Sequence, residues 1–317
     1  YRLKKTITIE DLAFRANHVI KNEIEIVQNQ MARNRIDLIF GEARFVDPHR
    51  LLIQHAGTST EHHAHVIVIA VGTEPARPAE IPFDDDTIID TDGFLTLKHL
   101  PTSMVIVGGG VIGTEYASIL ATMGVPVILI DKRPRLLEFV DAQIIGALQQ
   151  QITDIGVTLC HEEEVVAIRK ESDGQITVSL MHRPPITTTT LMYAIGRIGA
   201  TKHLNLEAIG ITPDERGRVI VNDHFQTAVP HIYAAGDVIG FPALASTSMQ
   251  QGRHAACHAF GHPDHTDTDL LPYGIYAIPE ISMVGRNEED LTKAEIPYGV
   301  GIAHYREIAR GQLIGDE

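Results

Sequence analysis

At 317 residues the chain has room for two or three domains, and its apolar fraction of 44% is ordinary for globular cores. A formal net charge of −15 argues against a nucleic-acid surface or an anionic membrane as the main partner, because both need clustered Lys and Arg. No apolar run approaches the roughly 20 residues of a membrane span, no signal-peptide pattern stands at the N-terminus, and the two cysteines, Cys160 and Cys257, form no C-x-x-C pair, so a soluble cytoplasmic protein is expected.

Thr8 is placed to cap a long helix with Asp11 at the third position of a capping-box start, and Leu12, Ala16, Val19, Ile20, Ile24, Val27 and Met31 trace one apolar face. Ile36, Leu38 and Phe40 alternate as a strand, and 41–53 reads as strand, Asp-Pro turn, strand. His62, His63 and His65 follow. On a strand His63 and His65 share a face, but nothing nearby in sequence completes a ligand set, so an exposed strand edge is expected there and no metal site. A buried-type strand over 66–71 closes on Gly72-Thr73. An acidic loop at 84–86 and a helix-like segment around 95–100 come next.

The stretch 103–131 organises the chain. Met104 to Val107 are apolar and rich in β-branched residues, as suits a strand buried on both faces. Gly108, Gly110 and Gly113 follow as G-x-G-x-x-G. Tyr116, Ile119, Leu120 and Met123 then fall at helical spacing, Gly124 ends the helix, and 127–130 reads as the next strand, which stops at the carboxylate of Asp131. In a dinucleotide site Gly108 permits the tight turn, Gly110 lets the backbone approach a pyrophosphate, and Gly113 lets the helix lie close on the strand. The pyrophosphate sits on free N–H groups of the helix, and Asp131, eighteen residues past Gly113, accepts from ribose hydroxyls. The glycines alone would not separate such a site from a glycine-rich turn; strand, helix, strand and acid together do.

Beyond Asp131, the residues Ile144, Ile145, Leu148, Ile152 and Ile155 predict an amphipathic helix ended by Gly156. A strand at 157–159, a hairpin over 165–180 and an apolar strand at 191–195 ending on Gly196-Arg197 follow. This order repeats, weakly, the earlier hairpin and strand that end on Gly72-Thr73. The later copy has a glycine-rich unit before it and the earlier copy has only the long helix, so an N-terminal dinucleotide-binding half is expected to be missing. Phe225 to Gly240 then read as a short strand and a tight turn exposing Asp237. Gly236 allows close backbone approach, Asp237 can accept from a polyol hydroxyl, and a helix over 244–260 offers its first N–H groups to negative charge. From Pro272 on, short strands broken by Gly and Pro, a helix at 287–293, a strand at 298–305 and a strand-like start at 312–314 suggest a cut through a third domain.

With these motifs in hand, the chain resembles the two-dinucleotide flavoprotein superfamily that includes dihydrolipoamide dehydrogenases, glutathione reductases and mercuric reductases, and within it most resembles the soluble pyridine nucleotide transhydrogenases. The carrying segments are RNRIDLIFGEARFVDPH, HFQTAVPHIYAAGDVIGFPALASTSMQQGR, GIYAIPEIS and YREIARGQLIGD. The resemblance implies an α/β fold with two Rossmann-like three-layer domains, FAD- and NAD(P)-binding, carrying β-meander insertions, plus the start of an α+β interface domain. It divides the chain into 1–97 (FAD-binding, first part), 98–221 (NAD(P)-binding), 222–270 (FAD-binding, second part) and 271–317 (interface).

The resemblance also implies site residues. Asp237 with Gly236 would hold the ribityl chain, Ala43 and Gly72 would line the adenine end of FAD, and Ala245 would offer its N–H to the flavin ring. Gly108, Gly110, Ile112, Gly113 and Asp131 fall on the NAD(P) motif, Glu115 lies toward the nicotinamide carboxamide as the candidate catalytic residue, and Gly196 and Arg197 match the G-R after the last strand. The implied reaction is reversible hydride exchange between NADPH and NAD+ through FAD. Use of NAD and NADP alike asks for a ribose site with both signs of charge, and Lys132, Arg133 and Arg135 are the basic candidates beside Asp131. A dihydrolipoamide dehydrogenase or related disulfide reductase, and a flavin- and NAD-binding protein without turnover, remain alternatives. Nicotinamide dinucleotides are the expected partners, with no nucleic acid and no membrane, in a homodimer or larger homo-oligomer.

Overall fold

The computed structural model describes residues 8–263 and 272–315. Helix α1 (Ile9–Arg33) begins on a closed capping box: the Thr8 hydroxyl accepts from the Asp11 N–H, and the Asp11 carboxylate accepts from the Thr8 N–H at 2.9 Å. Along its apolar face Val19, Ile20, Ile24 and Val27 are exposed; the Leu12 side chain is outside the described residues. The stretch 36–40 corrects an expectation. Ile36, Leu38 and Phe40 are exposed and join no ladder among the described residues, and alternation makes a strand only where a neighbour accepts the backbone hydrogen bonds.

Strands β1 (Glu42–Asp47), β2 (Arg50–His55) and β3 (Thr58–His63) form an antiparallel sheet in that order. Then come β4 (Ile67–Ile69), β5 (Thr73–Pro75) and β6 (Ile88–Asp90); the helix expected at 95–100 is a short 3-10 turn at Gly93–Thr96. The central unit is β7 (Met104–Val107), α2 (Val111–Thr122) and β8 (Val127–Ile130), followed by α3 (Ala142–Asp154) and β9 (Val157–Cys160). A meander of β10 (Val165–Lys170), β11 (Ile176–Leu180) and β12 (Ile186–Thr188) leads to β13 (Thr190–Tyr193) and β14 (Arg197–Gly199). The chain ends with β15 (Ile232–Ala234), α4 (Ala245–Ala259), β16 (Tyr273–Ile275), β17 (Ile281–Met283), α5 (Glu288–Lys293) and α6 (Ala309–Ile314). Residues 298–304 therefore form no strand, and 312–314 belong to a helix rather than to the strand-like start expected there. The expected boundary at 270–271 falls on residues outside those described.

One sheet organises the middle of the molecule. Its order is β6-β13-β7-β8-β9 and every pairing is parallel. Strand alternation sorts its side chains into two cores. Met104, Ile106 and Leu129 pack toward α2 and α3 with Leu120, Ile145, Leu148 and Ile152, while Val105, Val107, Ile130 and Leu191 pack toward the meander with Ile176 and Val178. Helices thus cover one face and an antiparallel meander the other, and each fully buried aliphatic side chain contributes roughly 1.5–3 kcal/mol relative to an exposed one. The buried face of α2 is Gly113, Ala117, Leu120 and Ala121 rather than the larger Tyr116, Ile119 and Met123. Small residues at that spacing let the helix axis approach the sheet closely.

A separate core joins distant parts of the chain. Phe45, Ile67 and Ile69 pack against Leu204, Leu206, Ile211, Val219, Ile232 and Val238, so the chain returns after the central sheet to the segment it left. There β15 pairs parallel to β4, Ile232 to Ile67 and Ala234 to Ile69. The two passages between the cores, β5 and β14, run antiparallel to each other. Among the described residues no helix is long and apolar enough to cross a membrane.

Candidate functional site

The glycines at the end of β7 each answer a distinct steric demand. Gly108 has φ +111, and a Cβ there would lie 2.4 Å from the Ala194 carbonyl oxygen on the neighbouring strand. At Gly113 a Cβ would lie 1.9 Å from the Gly108 carbonyl oxygen, so the first turn of α2 rests directly on the loop before it. Gly110, the N-cap, differs: its backbone is extended and a Cβ there would meet nothing within 4 Å. The first backbone bond of α2 runs from the Thr114 N–H to the Gly110 carbonyl at 2.9 Å, which leaves the N–H groups of Val111, Ile112 and Gly113 without an intrahelical acceptor. The Thr114 hydroxyl is buried without a partner among the described residues. Open space, unsatisfied donors and the positive end of the helix dipole meet at one point, as an anion site requires.

Asp131 closes this cradle at the end of β8. Its carboxylate, 6% exposed, accepts from the Gly109 N–H at 2.5 Å, from the Arg133 N–H at 2.8 Å, and from the Arg133 guanidinium at 2.8 Å (Nε) and 2.6 Å (Nη2). Burial opposes its ionisation, but the Arg133 side chain and these N–H donors outweigh burial and hold the carboxyl below the ordinary aspartate value. Of the three basic candidates, only Arg133 touches Asp131. Lys132 is exposed, and Arg135 is turned away, with Nη1 on Glu289 at 2.9 Å and Nη2 on the Glu138 carbonyl at 3.0 Å. No local pattern marks α5 as the partner of Arg135, because Glu289 is 154 residues away.

Glu115, on α2, is half-buried and accepts from the Tyr276 N–H at 2.8 Å. One turn on, the Ser118 hydroxyl accepts from the Ile278 N–H at 3.0 Å, so α2 holds the segment between β16 and β17 by two hydrogen bonds. Burial pushes the Glu115 carboxyl up, with the Tyr276 bond in opposition. Gly196 has φ +131 and precedes Arg197, whose guanidinium donates to the Thr73 hydroxyl and carbonyl, both at 2.9 Å, and to Asp92 at 2.8 Å. Arg197 thereby ties β14 to β5 where the chain crosses between cores.

A second cluster lies at the end of the β4–β15 pair. Gly72 (φ +69) follows β4 and Gly236 (φ +81) follows β15, and because the strands are parallel both turns stand at the same end. The Gly236 N–H donates to Gln251 Oε1 at 2.8 Å, which docks the turn onto α4. Asp237 opens a 3-10 turn, and its carboxylate takes no hydrogen bond or ion pair among the described residues. Helix α4 starts at Ala245 without a side-chain cap, Ala245 is exposed, and the buried Thr247 hydroxyl has no partner among the described residues. Ala43 is exposed on β1 opposite Ile53 and shares no hydrogen bond with this cluster.

Three aromatic side chains that the sequence reading missed come together from separate segments. Phe139 from the segment before α3, Phe241 from the turn after Asp237 and Tyr273 from β16 meet with ring centroids 5.3–5.8 Å apart. Burial pushes the Tyr273 phenol up, and the Glu115 and Asp237 carboxylates raise it further. No motif marks these residues, and only tertiary packing assembles them. At the β3 end His49 stacks on His231 at 3.9 Å and on His63 at 5.6 Å, with His65 edge-on to His63. Among the described residues no group of His, Cys, Asp and Glu is arranged to hold a metal ion.

Comparison with known proteins places this arrangement in context. The family model described as pyridine nucleotide-disulphide oxidoreductase matches residues 3–252. The chain is 51% identical, over its whole length and 68% of the relative's, to a soluble pyridine nucleotide transhydrogenase of Mycobacterium tuberculosis. It is 42% identical, over 98% of its length and 66% of the relative's, to a soluble pyridine nucleotide transhydrogenase of Colwellia psychrerythraea. In structure it is similar to LpdA from Mycobacterium tuberculosis, with a TM-score of 0.91 at 24% identity over 98% of this chain and 69% of that one.

Proposed function

Because the chain belongs to the pyridine nucleotide-disulphide oxidoreductase family, we propose that it serves FAD-dependent hydride transfer from NADPH to NAD+, yielding NADP+ and NADH, the reaction of a soluble pyridine nucleotide transhydrogenase. The observation that carries the reading is the acid and base set side by side, Asp131 and Arg133, at the lip of the open α2 N-terminus. A carboxylate suits a ribose diol and a guanidinium suits a 2′-phosphate, and a transhydrogenase must accept both nucleotides. The whole-chain likeness to soluble pyridine nucleotide transhydrogenases supports the same reading.

The residues present fit both cofactors. Gly110 leaves room where a pyrophosphate would lie, and the α2 N–H groups and the Thr114 hydroxyl offer unsatisfied donors. On the other side Asp237, free of protein partners among the described residues, would accept from the ribityl hydroxyls of FAD, with Gly236 allowing close approach and Gly72 beside it. The first turn of α4 at Ala245 and the Thr247 hydroxyl would face the flavin ring. When bound, FAD supplies a two-electron carrier that accepts hydride from one nicotinamide and returns it to another. The protein's part is to align the reactants: Gly113 fixes α2, Asp131 and Arg133 hold the adenosine end, and Glu115 stands as a half-buried acceptor toward the carboxamide.

Thio-NAD+ reduction by NADPH, set against lipoamide reduction by NADH in the full-length protein loaded with FAD, tests the proposal. Transhydrogenation without lipoamide turnover is the expected result. Lipoamide turnover without transhydrogenation overturns it in favour of a disulfide reductase. Assembly as a homodimer or larger homo-oligomer belongs to the same proposal and is read by light scattering.

A further inference from the structure

We infer that Glu289 of α5 is a positioning residue for the dinucleotide turn, which it steadies through Arg135 and Leu136, so that the C-terminal segment sets the affinity for either nicotinamide nucleotide. The inference rests on the dinucleotide reading above and goes beyond it, because Glu289 and Arg135 share no hydrogen bond with the glycine turn, α2 or Asp131 among the described residues. From Asp131 to Asp141 the chain forms no helix or strand, yet Leu136 and Leu137 are fully buried. A Cβ at Gly109 would lie 2.4 Å from Leu136 Cδ2, so that side chain is the floor on which the turn rests. The Gly109 N–H in turn holds Asp131 at 2.5 Å, and a shift of Leu136 therefore reaches the turn and the acid together.

Hydrogen bonds to α5 and its cap pin this stretch. Nη1 of Arg135, the residue before Leu136, donates to Glu289 Oε1 at 2.9 Å, the same oxygen accepts from the Ala142 N–H at the start of α3 at 3.1 Å, and Asn287 Nδ2 donates to the Phe139 carbonyl at 3.2 Å. The Arg135 and Glu289 side chains are 29% and 42% exposed, so as an ion pair they contribute little to folding. Their effect is on geometry. Without the acid, the Arg135 guanidinium keeps only the Glu138 carbonyl of its own segment, and the backbone beside Leu136 loses its tie to α5. A turn that is in place in only a fraction of molecules binds more weakly by that fraction. The α2 N–H groups serve a pyrophosphate, which both nucleotides carry, so both weaken by the same factor. Glu115 is held by the Tyr276 N–H and Asp237 lies on another segment, so the reacting end keeps its alignment once a nucleotide is bound.

The test uses Arg135→Met, Arg135→Lys and Glu289→Gln in the full-length protein loaded with FAD, with dissociation constants for NADH and NADPH from calorimetry, KM and kcat for thio-NAD+ reduction by NADPH, and thermal melting. Arg135→Met and Glu289→Gln should each weaken NADH and NADPH by about threefold to tenfold and in equal measure, raising KM while kcat stays within about twofold. The melting temperature should move by a few degrees at most. Arg135→Lys, which keeps a cation for Glu289, should restore most of the affinity, and Arg135→Met leaves Glu289 on α3, so it reports even if Glu289→Gln fails to fold. Dissociation constants unchanged in both variants overturn the inference and leave the pair a surface contact. A loss confined to NADPH overturns it as well, because Arg135 would then touch the 2′-phosphate directly. If the unsubstituted protein binds neither nucleotide, the dinucleotide reading itself fails and the inference falls with it; binding of both with affinities that ignore the pair removes the inference alone.

Discussion

Gly113→Ala and Gly110→Ala separate what the glycines do for the fold from what they do for a ligand. At Gly113 an added Cβ would lie 1.9 Å from the Gly108 carbonyl oxygen and 3.4 Å from Ile106 Cγ2. An unstrained C···O contact is near 3.3 Å, so the first turn of α2 must withdraw by about 1.4 Å. The oxygen belongs to backbone held by the Gly108 N–H bond to Ile130 at 2.8 Å, so the strain cannot be relieved by a side-chain rotation. Forced overpacking costs about 1–3 kcal/mol, and lifting Ala117, Leu120 and Ala121 off the sheet adds lost dispersion, against at most about 1 kcal/mol returned by the helix propensity of alanine. A net loss of roughly 2 kcal/mol predicts a melting temperature lower by roughly 5–10 °C. Since a displacement of about 1 Å can cost 100-fold in a positioned site, NADH binding should fall at least tenfold. At Gly110 the Cβ meets no protein atom within 4 Å. That variant should lose only the small N-cap difference between Gly and Ala, about 1 kcal/mol or less, yet bind NADH as poorly. Thermal melting and calorimetric titration of both variants give the answer. A Gly113→Ala protein that melts with the parent and binds NADH within twofold of it would refute the reasoning.

Arg197→Ala removes donors to Thr73 and Asp92 at the crossing of β5 and β14, and urea unfolding should show a loss of about 2–3 kcal/mol. Acid should weaken the fold by a definite route. Burial opposes ionisation of Asp84, Asp90 and Asp131, but Lys170 on Asp84, the Gly93 N–H with Arg77 on Asp90, and Arg133 on Asp131 outweigh it, so all three titrate below their unfolded value. Their stabilisation is then full above about pH 5 and lost as the pH falls below the unfolded value of about 3.9, which unfolding free energies measured from pH 7 down to pH 3 will show. Glu115 runs the other way. Burial raises its pKa, so its contribution is greatest below the unfolded value of about 4.3 and declines as the pH rises through the folded one. Glu115→Gln keeps an acceptor for the Tyr276 N–H, and the stability of the parent relative to this variant should fall from pH 4 to pH 7; a flat difference would show that the acid is not desolvated.

Local chemistry was legible wherever neighbours in sequence decide the outcome. The Thr8 capping box, the Asn287 cap of α5 and the start of α2 after three spaced glycines all depend on residues within a few positions. Elements that need a partner from elsewhere in the chain were not legible in this way. Residues 36–40 alternate like a strand yet join no ladder among the described residues, and 312–314, read as a strand-like start, close a helix whose Gly311 would, with a Cβ, collide with the Tyr305 carbonyl at 2.0 Å. Helical spacing over 116–123 marked α2 correctly as a helix, but of the four residues it picked out only Leu120 is fully buried. Such spacing follows the largest apolar residues, whereas close approach to a sheet is made by the smallest, Gly113, Ala117 and Ala121.

The same division holds for the site. Sequence by itself determined that a strand, a glycine turn and a helix would present unsatisfied N–H groups beside an acid, because the peptide geometry of that turn allows little else. It also marked the Gly236-Asp237 turn and the helix behind it. Tertiary structure alone decided which charges remain available there. Arg133 folds back onto Asp131, Arg135 is taken by Glu289 on α5, and Glu115 is spent in part on the Tyr276 backbone. Phe139, Phe241 and Tyr273, drawn from three separate segments, meet in one aromatic cluster. Hydrogen bonds and ring contacts act over a few ångströms, so the partner of each group depends on how distant segments pack, and that is set by the burial of three cores rather than by any local pattern.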